Sequence, residues 1–289
     1  MKIHLYEHRS MLECLEATMD FLRANRRVWW HTALLLFLPV ALVMAIVVFS
    51  TMDDDRSHHD LFFWFENLVE NFDRHAVLFA VTIFAGVWMV FTQVYALLLA
   101  NEASADGADK LTLKQMRPWL LKMVRRSWSM PMVLFFMMLV VFGFQSVGLA
   151  LLIGIFSVPM AMFPSLRLME GKGWKNSLER TVKMGFSVWF PLAFNIALVS
   201  MLGLYVIVAL WLPTGLLSLL QETFSYQRVS EFEELFIYAL GFVFTTAAFF
   251  GFHIVASMVV TVCAYEYGSV SERMYATSLE EEVSHFEEL

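Results

Sequence analysis

The chain has 289 residues, of which 59% are hydrophobic and 16% are charged, and its formal net charge is -7. A soluble domain carries about 25% charged residues, so this chain has too little polar surface to cover itself in water. The composition therefore excludes an ordinary soluble protein, and we expect no nucleic-acid partner and no cofactor.

Five uncharged runs are long enough to cross a bilayer, because a span needs about 20 apolar residues at a rise of about 1.5 Å each. They are Val28–Met52, Ala76–Asn101, Ser127–Leu166, Met184–Gln221 and Leu235–Tyr265. As one helix, the third run would measure about 60 Å, roughly twice the hydrocarbon thickness. We expect it to fold back at Gly143–Gly148, which predicts an all-α integral membrane protein with six transmembrane helices.

Positive charges are distributed unequally among the segments that join these runs. Five Lys and Arg precede the first run, six lie in Asn101–Arg126 and five in Arg167–Lys183. The intervening segments hold only Arg56, Arg74 and Arg228. Short cytoplasmic loops of membrane proteins collect Lys and Arg. The pattern therefore predicts a multi-pass protein of the plasma (inner) membrane with both termini in the cytoplasm.

A basic amphipathic segment precedes the first, third and fifth spans, and each segment ends near a Trp. These tryptophans are Trp29, Trp128 and Trp189, and a cation lies six residues before each of them, at Arg23, Lys122 and Lys183. The first two copies also share an Arg pair, Arg26 with Arg27 and Arg125 with Arg126, where the third has Phe186 and Ser187. The repeat predicts three hairpins, each preceded by a cytoplasmic interfacial helix that lies in the headgroup plane.

The cations of these segments are candidate contacts for anionic lipid headgroups. They are Arg23, Arg26, Arg27, Lys122, Arg125, Arg126 and Lys183. The simpler interpretation is topological anchoring, since cations are expected at the cytoplasmic ends of spans in any case. Both interpretations place membrane lipids among the partners of the chain.

The repeat divides a single membrane domain, residues 1–289, into four parts. Residues 1–100 form the first hairpin with its N-terminal amphipathic helix and an acidic outer loop, and residues 101–169 form the second hairpin. Residues 170–266 form the third hairpin, and residues 267–289 form an acidic cytoplasmic tail. The tail could dock on the basic helices or bind a partner protein, and the sequence does not rank these alternatives.

The acidic outer loop has a composition that invites a metal-site hypothesis. It contains Asp53, Asp54, Asp55, His58, His59 and Asp60. The spacing does not support a metal, because the loop lacks the central Gly of a calcium-binding pattern and a His pair one helical turn apart. We expect a solvated acidic loop and no metal site.

Polar residues inside the predicted spans form a candidate intramembrane site. His253 lies near the middle of the last span, with Thr246 and Ser257 on the same helical face at offsets of 7 and 4 residues. Gln93 and Asn195 lie in the second and fifth spans. We expect His253 to face the interior, with the stripe through Thr82, Gly86 and Gln93 as its first partner and Asn195 as the second. The favoured interpretation is a neutral imidazole hydrogen bonded to a neighbouring carbonyl, and the alternative is a proton-handling or ligand-binding residue.

Each even-numbered span ends in a glutamate at its cytoplasmic boundary, at Glu102, Glu170 and Glu266. A ring of carboxylates around a pore mouth is one interpretation. We favour three solvated helix ends that pair loosely with nearby Lys or Arg. Cys14 and Cys263 map to the reducing cytoplasmic side, and their sequence neighbours do not indicate a catalytic thiol.

One part of the sequence resembles a known family. The order Pro164, Ser165, Leu166, then Glu170 and Gly171, then Ser177–Lys183 (SLERTVK) and Trp189 carries the resemblance, which covers mainly residues 163–190. It is similar to the six-span bacterial membrane domain found ahead of the catalytic barrel in some glycerophosphodiester phosphodiesterases, and to stand-alone relatives of unknown function. The resemblance implies the membrane part alone and carries over no catalytic residue.

Three classes of function remain open at this point. A non-catalytic membrane protein that handles or transports lipid or a small molecule fits the polar residues near Gly and Pro within the spans. A regulatory or scaffolding membrane subunit with a cytoplasmic partner fits the basic helices and the acidic tail. An intramembrane enzyme fits worst, because the spans contain no Ser/His pair, His/Glu metal motif or aspartyl dyad. We therefore expect no catalytic residue.

Overall fold

The protein is built from α-helices. The computed structural model describes residues 4–52, 74–104, 111–131, 155–171, 173–224 and 231–275, and no strand occurs within these ranges. In chain order the helices are α1 (Met11–Ala24), α2 (Arg26–Met52), α3 (Arg74–Glu102), α4 (Leu113–Ser127), α5 (Phe163–Met169), α6 (Trp174–Ser187), α7 (Trp189–Phe224) and α8 (Glu231–Tyr275). The predicted all-α class is therefore what the structure shows.

Four of these helices are long and apolar enough to cross a membrane. The apolar segments are Arg26–Ser50, Val77–Glu102, Trp189–Pro213 and Leu235–Tyr275. They coincide with the first, second, fifth and sixth predicted spans. The predicted third and fourth spans belong to Ser127–Leu166, in which residues 132–154, including the expected turn at Gly143–Gly148, lie outside the described residues. A shorter apolar helix covers Ile155–Met169.

Large apolar side chains are exposed along these segments. On α7 the exposed fraction is 74% for Met201 and 77% for Tyr205. Monomeric soluble proteins seldom expose contiguous apolar surface of this kind, because the transfer of such side chains to water is unfavourable. The apolar helices fit a protein that is embedded in a membrane, where lipid chains contact these residues.

The basic helices α1 and α6 are separate elements from the apolar helices that follow them. Helix α1 ends at Ala24, and α2 begins at Arg26 after the C-cap residue Asn25. Helix α6 ends at Ser187 and α7 begins at Trp189, with Val188 at the break. Helix α4 ends at Ser127, directly before Trp128. The ends of the basic helices therefore lie directly before Trp128, two residues before Trp189 and five residues before Trp29.

The chain divides into two compact units. The first consists of Met1–Thr32, Trp88–Ser200 and Ala256–Leu289, and the second of Ala33–Val87 and Met201–Val255. The core of the first unit contains Met162, Leu166, Met184, Val188, Leu192, Cys263, Tyr267 and Val270. The basic helices α1, α4 and α6 all belong to this first unit.

The second unit is held together by apolar contacts between helices. Its core contains Met44, Val47, Val48 and Phe79. Helices α7 and α8 approach closely at Gly203, where an added Cβ would lie 2.2 Å from Cγ1 of Val255. Small residues at such contacts let two helix backbones pack closely within a membrane.

Candidate functional site

Helices α1, α4 and α6 each bury one face and expose apolar residues beside it. The buried residues include Cys14, Thr18 and Phe21 on α1, Met116, Met123 and Ser127 on α4, and Ser177, Thr181 and Met184 on α6. The exposed apolar residues are Leu12 and Met19, then Leu113 and Leu121, and then Trp174, Leu178, Val182 and Phe186. On a projection at about 100° per residue, the exposed apolar residues lie to the same side of the buried face in all three helices.

Hydrogen bonds fix the orientation of α4 against α3. The indole nitrogen of Trp88 donates to the carbonyl oxygen of Val124 at 3.1 Å. The hydroxyls of Thr92 and Ser127 lie 2.8 Å apart, and the Ser127 hydroxyl is also 2.8 Å from the carbonyl oxygen of Met123. These bonds determine which face of α4 is buried and which face carries its cations.

The seven candidate lipid-contact cations are distributed over all three basic segments. The six exposed cations are Arg23, Arg26, Arg27, Lys122, Arg125 and Lys183. Lys122 lies over the ring of Trp119, with its ammonium 5.0 Å from the ring centroid. Arg23 pairs with Asp20 at 3.4 Å, an exposed contact worth about 0–1 kcal/mol that leaves the guanidinium open to other anions.

The seventh cation, Arg126, is half-buried against the segment that precedes α6. Its Nη2 donates to the carbonyl oxygen of Arg167 at 3.2 Å. Gly171 has a φ of 72°, and an added Cβ there would lie 2.3 Å from the same Nη2. Burial lowers the pKa of Arg126, and the nearby positive charge of Arg167 lowers it further. Arg126 was among the predicted lipid contacts, whereas Arg167 was not, because no spacing in the sequence connects the two residues.

The five candidate intramembrane polar residues are divided between the two units. His253 and Thr246 belong to the second unit, whereas Gln93, Asn195 and Ser257 belong to the first. The hydroxyl of Thr246 donates to the carbonyl oxygen of Phe242 within its own helix at 2.8 Å. The boundary between the two units falls within α8, between His253 and Ser257.

His253 is enclosed by side chains of the second unit, with an exposed fraction of 2%. Its Nδ1 lies 2.6 Å from the carbonyl oxygen of Phe249. The imidazole stacks on Phe37 with ring centroids 5.6 Å apart. It also faces Gly86, where an added Cβ would lie 2.1 Å from Nε2. The ring thus has a structural role in packing, and its bond to a carbonyl is the arrangement that the favoured interpretation describes.

Gln93 links α3 to the start of α2. Its Nε2 donates to the carbonyl oxygen of Trp29 and to the hydroxyl of Thr32, each at 2.9 Å. All of these atoms are buried in the first unit. Gln93 is therefore an interhelical link at the start of α2.

Asn195 joins three helices of the first unit. Its Nδ2 donates to the carbonyl oxygen of Met11 on α1 at 2.9 Å and also to the carboxylate of Glu266 on α8. Glu266 has an exposed fraction of only 3%. The expectation of a solvated glutamate at the end of the sixth span is therefore wrong. The amide of Asn195 and the backbone of α1 cover the carboxylate, and these elements are distant in sequence.

The other two span-end glutamates are also engaged. Glu170 accepts hydrogen bonds from the hydroxyl of Tyr267 and from Nη1 of Arg180, the latter at 2.8 Å. Glu102 accepts a hydrogen bond from the backbone nitrogen of Leu5 at 2.8 Å. These carboxylates hold helices and the N-terminal segment in place, so the described contacts give no support to a ring around a pore mouth.

The N-terminal segment His4–Ser10 is bound to the end of α8. The backbone nitrogen of Arg9 donates to Oγ of Ser269 at 3.0 Å, and this hydroxyl in turn donates to the carbonyl oxygen of Arg9 at 2.9 Å. Leu5 is fully buried, and its carbonyl oxygen lies against Gly268, where an added Cβ would be only 2.2 Å away. Sequence reasoning missed this anchoring, because the segment carries no periodic pattern.

Both cysteines, Cys14 and Cys263, are buried. Burial raises the pKa of the Cys14 thiol to about 12, and the negative charge of Glu266 adds to the effect. A thiol with a raised pKa is a weak nucleophile, because the thiolate is the reactive form. Among the described residues, no group of three or more His, Cys, Asp or Glu could hold a metal ion. The acidic outer loop with Asp53–Asp60 lies outside those residues.

Comparison with known proteins identifies no relative. No protein-family model, no curated protein and no solved structure matches this chain.

Proposed function

We propose that the chain is a non-catalytic, six-span protein of the plasma (inner) membrane, with both termini in the cytoplasm, that handles lipid at the inner leaflet. In this proposal α1, α4 and α6 lie in the headgroup plane and contact anionic lipids. The observation that carries it is the repeated arrangement of a buried face, an exposed apolar stripe on the same side and exposed cations.

The energetics of these helices favour an interfacial position. Burial of a large apolar side chain in lipid contributes about 1.5–3 kcal/mol. A Lys or Arg near an anionic surface contributes about 1 kcal/mol. Exposed Leu121 and Lys122 on α4 combine the two effects on one helix, as do Val182 and Lys183 on α6. A helix in water would gain neither contribution.

The hairpin architecture is part of the same proposal. Three basic helices that break before or at Trp29, Trp128 and Trp189 support three hairpins within residues 1–100, 101–169 and 170–266. The resemblance of residues 163–190 to the membrane domain of glycerophosphodiester phosphodiesterases and its stand-alone relatives supports the same count. The acidic tail at residues 267–289 would then lie in the cytoplasm.

Lipid retention tests the function. The protein is transferred into detergent from nanodiscs that contain phosphatidylglycerol and phosphatidylcholine. The lipids that remain bound to the protein are then measured by mass spectrometry. We expect phosphatidylglycerol to be enriched, and the triple substitution Arg23→Gln, Lys122→Gln and Lys183→Gln to reduce the enrichment. The matched control is Arg56→Gln, Arg74→Gln and Arg228→Gln, which removes three cations from the opposite side. Equal loss in both variants, or no enrichment in the unmodified chain, would refute the proposal.

Cysteine labelling tests the orientation. A Cys introduced at Ser57 should react with an impermeant maleimide in intact cells, whereas a Cys at the exposed Lys114 on α4 should react only after the membrane is opened. The reverse pattern would place the termini outside.

A regulatory or scaffolding role is the second proposal, and it rests on the acidic tail. Helix α8 remains helical to Tyr275, whose ring lies 4.3 Å from the guanidinium carbon of Arg180. Residues 276–289 continue from this point and include five Glu without Lys or Arg. Stoichiometric co-purification of a soluble protein that is lost on deletion of residues 276–289 would favour this role.

A further inference from the structure

Two arginines from different helices meet beside the start of α6. Arg126 on α4 reaches the carbonyl oxygen of Arg167 on α5, and the charge of Arg167 is close enough to act on the Arg126 guanidinium. The guanidinium carbon of Arg167 in turn lies 5.4 Å from the ring centroid of Trp174, the first residue of α6. Arg126 therefore lies beside Gly171, shortly before α6, and Arg167 lies beside the first residue of α6, Trp174.

The backbone is adapted to keep Arg126 in this place. Gly171 adopts a left-handed conformation, with a φ of 72°, which glycine tolerates without strain. Any other residue there would add a Cβ within 2.3 Å of Nη2 of Arg126. Among the residues that the structure describes, no acidic side chain forms an ion pair with Arg126. Arg126 and Arg167 thus place two positive charges near each other, and an anion between them would lower their repulsion.

The start of α6 adds hydrogen-bond donors to this arrangement. Helix α4 begins with Thr112, whose hydroxyl accepts from the backbone nitrogen of Gln115. Helix α6 instead has Gly173 at its N-cap and no side-chain cap, with Lys175 in its first turn. The first amides of a helix lack intrahelical partners and carry partial positive charge. An anion held by the two arginines would lie near these donors.

We propose that Arg126 and Arg167 bind a phosphate group, carried either by an anionic lipid headgroup or by a soluble phosphate compound. The planar guanidinium forms paired hydrogen bonds with phosphate oxygens, and partial burial strengthens such bonds. The site deepens the proposed lipid-handling function, because it gives one headgroup a defined position among otherwise dispersed surface cations. The proposed site rests on the lipid-handling function only if the bound phosphate belongs to a lipid headgroup.

The experiment uses the full chain with two phosphate probes. In a maltoside detergent without phosphate, inorganic phosphate is titrated by calorimetry. In nanodiscs, retention of phosphatidylglycerol over phosphatidylcholine is measured. The variants are Arg126→Gln and Gly171→Ala, the latter keeping both arginines but displacing Arg126. The matched control is Arg117→Gln, which removes an exposed cation from the same helix. Unfolding temperatures verify that each variant is folded.

We expect Arg126→Gln and Gly171→Ala each to weaken binding by roughly tenfold or more, as the loss of a charge-assisted hydrogen bond requires. Arg117→Gln should bind like the unmodified chain. If these two variants weaken the binding of inorganic phosphate, the ligand is a soluble phosphate compound. If they reduce only the retention of phosphatidylglycerol, the ligand is a lipid headgroup.

Two outcomes separate this site from the proposed function. If Arg126→Gln and Arg117→Gln have equal effects while phosphatidylglycerol is still enriched, the site is overturned and the lipid-handling function stands. If inorganic phosphate binds in an Arg126-dependent manner while no lipid preference exists, the site stands and the lipid-handling function falls. Failure of both probes to bind also overturns the site.

Discussion

The contact between Gly86 and His253 allows a quantitative test of packing in the second unit. In Gly86→Ala the new Cβ would lie 2.1 Å from Nε2 of His253, whereas nonbonded carbon atoms prefer about 3.5–4.0 Å. The ring cannot move away freely, because Nδ1 is 2.6 Å from the carbonyl oxygen of Phe249 and one ring face stacks on Phe37.

The expected loss of stability follows from three contributions. Overpacking costs about 1–3 kcal/mol. Displacement of the ring costs about 1 kcal/mol more through the bond to Phe249. Alanine in place of glycine stabilises a helix by about 1 kcal/mol, which offsets part of this loss. The net expectation is a destabilisation of about 1–3 kcal/mol, with a fall in Tm of about 2–4 °C per kcal/mol.

Thermal unfolding in nanodiscs provides the assay. Gly215→Ala is the matched control, because no atom lies within 4 Å of its added Cβ. In a His253→Ala background the clash is removed, so Gly86→Ala should no longer destabilise the protein. The double-mutant cycle should give a coupling of about 2–4 kcal/mol, which is the overpacking and ring-displacement contributions together. The expectation is refuted if Gly86→Ala and Gly215→Ala unfold at the same temperature. It is also refuted if Gly86→Ala has the same effect with and without His253.

Three further predictions concern the first unit. Asn195→Ala should destabilise the protein by about 1–3 kcal/mol, because the Met11 carbonyl and the Glu266 carboxylate lose a buried donor. Thermal unfolding should show no such loss for the control Asn176→Ala, which changes an exposed residue. Gly185→Ala should also lower Tm relative to Gly215→Ala, because its Cβ would lie 2.5 Å from Cα of Pro159, a backbone atom that cannot rotate away. Cys14 should resist modification by N-ethylmaleimide at pH 8, as measured by intact mass, while the thiol of Leu12→Cys reacts. Burial raises the pKa of the Cys14 thiol to about 12. The contribution of this thiol to stability is therefore present below its unfolded pKa of about 8.5 and is lost as the pH rises toward 12.

The helices were predictable because their signals are local. Apolar runs located α2, α3, α7 and α8, and the three- and four-residue spacing in the basic segments predicted α1, α4 and α6. The Trp positions also indicated where one helix ends and the next begins. Each of these inferences uses residues within a few turns of one another.

The contacts of the candidate sites were less predictable because they join distant parts of the chain. Asn195 and Glu266 are 71 residues apart, and Asn195 and Met11 are 184 apart. The position of Glu266 at the end of an apolar run suggested water, whereas α1 and Asn195 cover it. Likewise, one helical face connected His253 to Ser257, but the sequence carries no sign that the two residues belong to different units.

The anchoring of His4–Ser10 has a consequence for the order in which the protein matures. Leu5 leaves the ribosome long before Glu102, and Arg9 leaves it 260 residues before Ser269. During synthesis the amide and carbonyl of Arg9 therefore lack their Ser269 partner until α8 has been translated. A nascent chain that stops short of α8 would leave the segment His4–Ser10 unanchored and open to proteolysis. Residues His4–Ser10 are thus synthesised well before the helix that holds them, and their protection from proteolysis reports that α8 has folded against them.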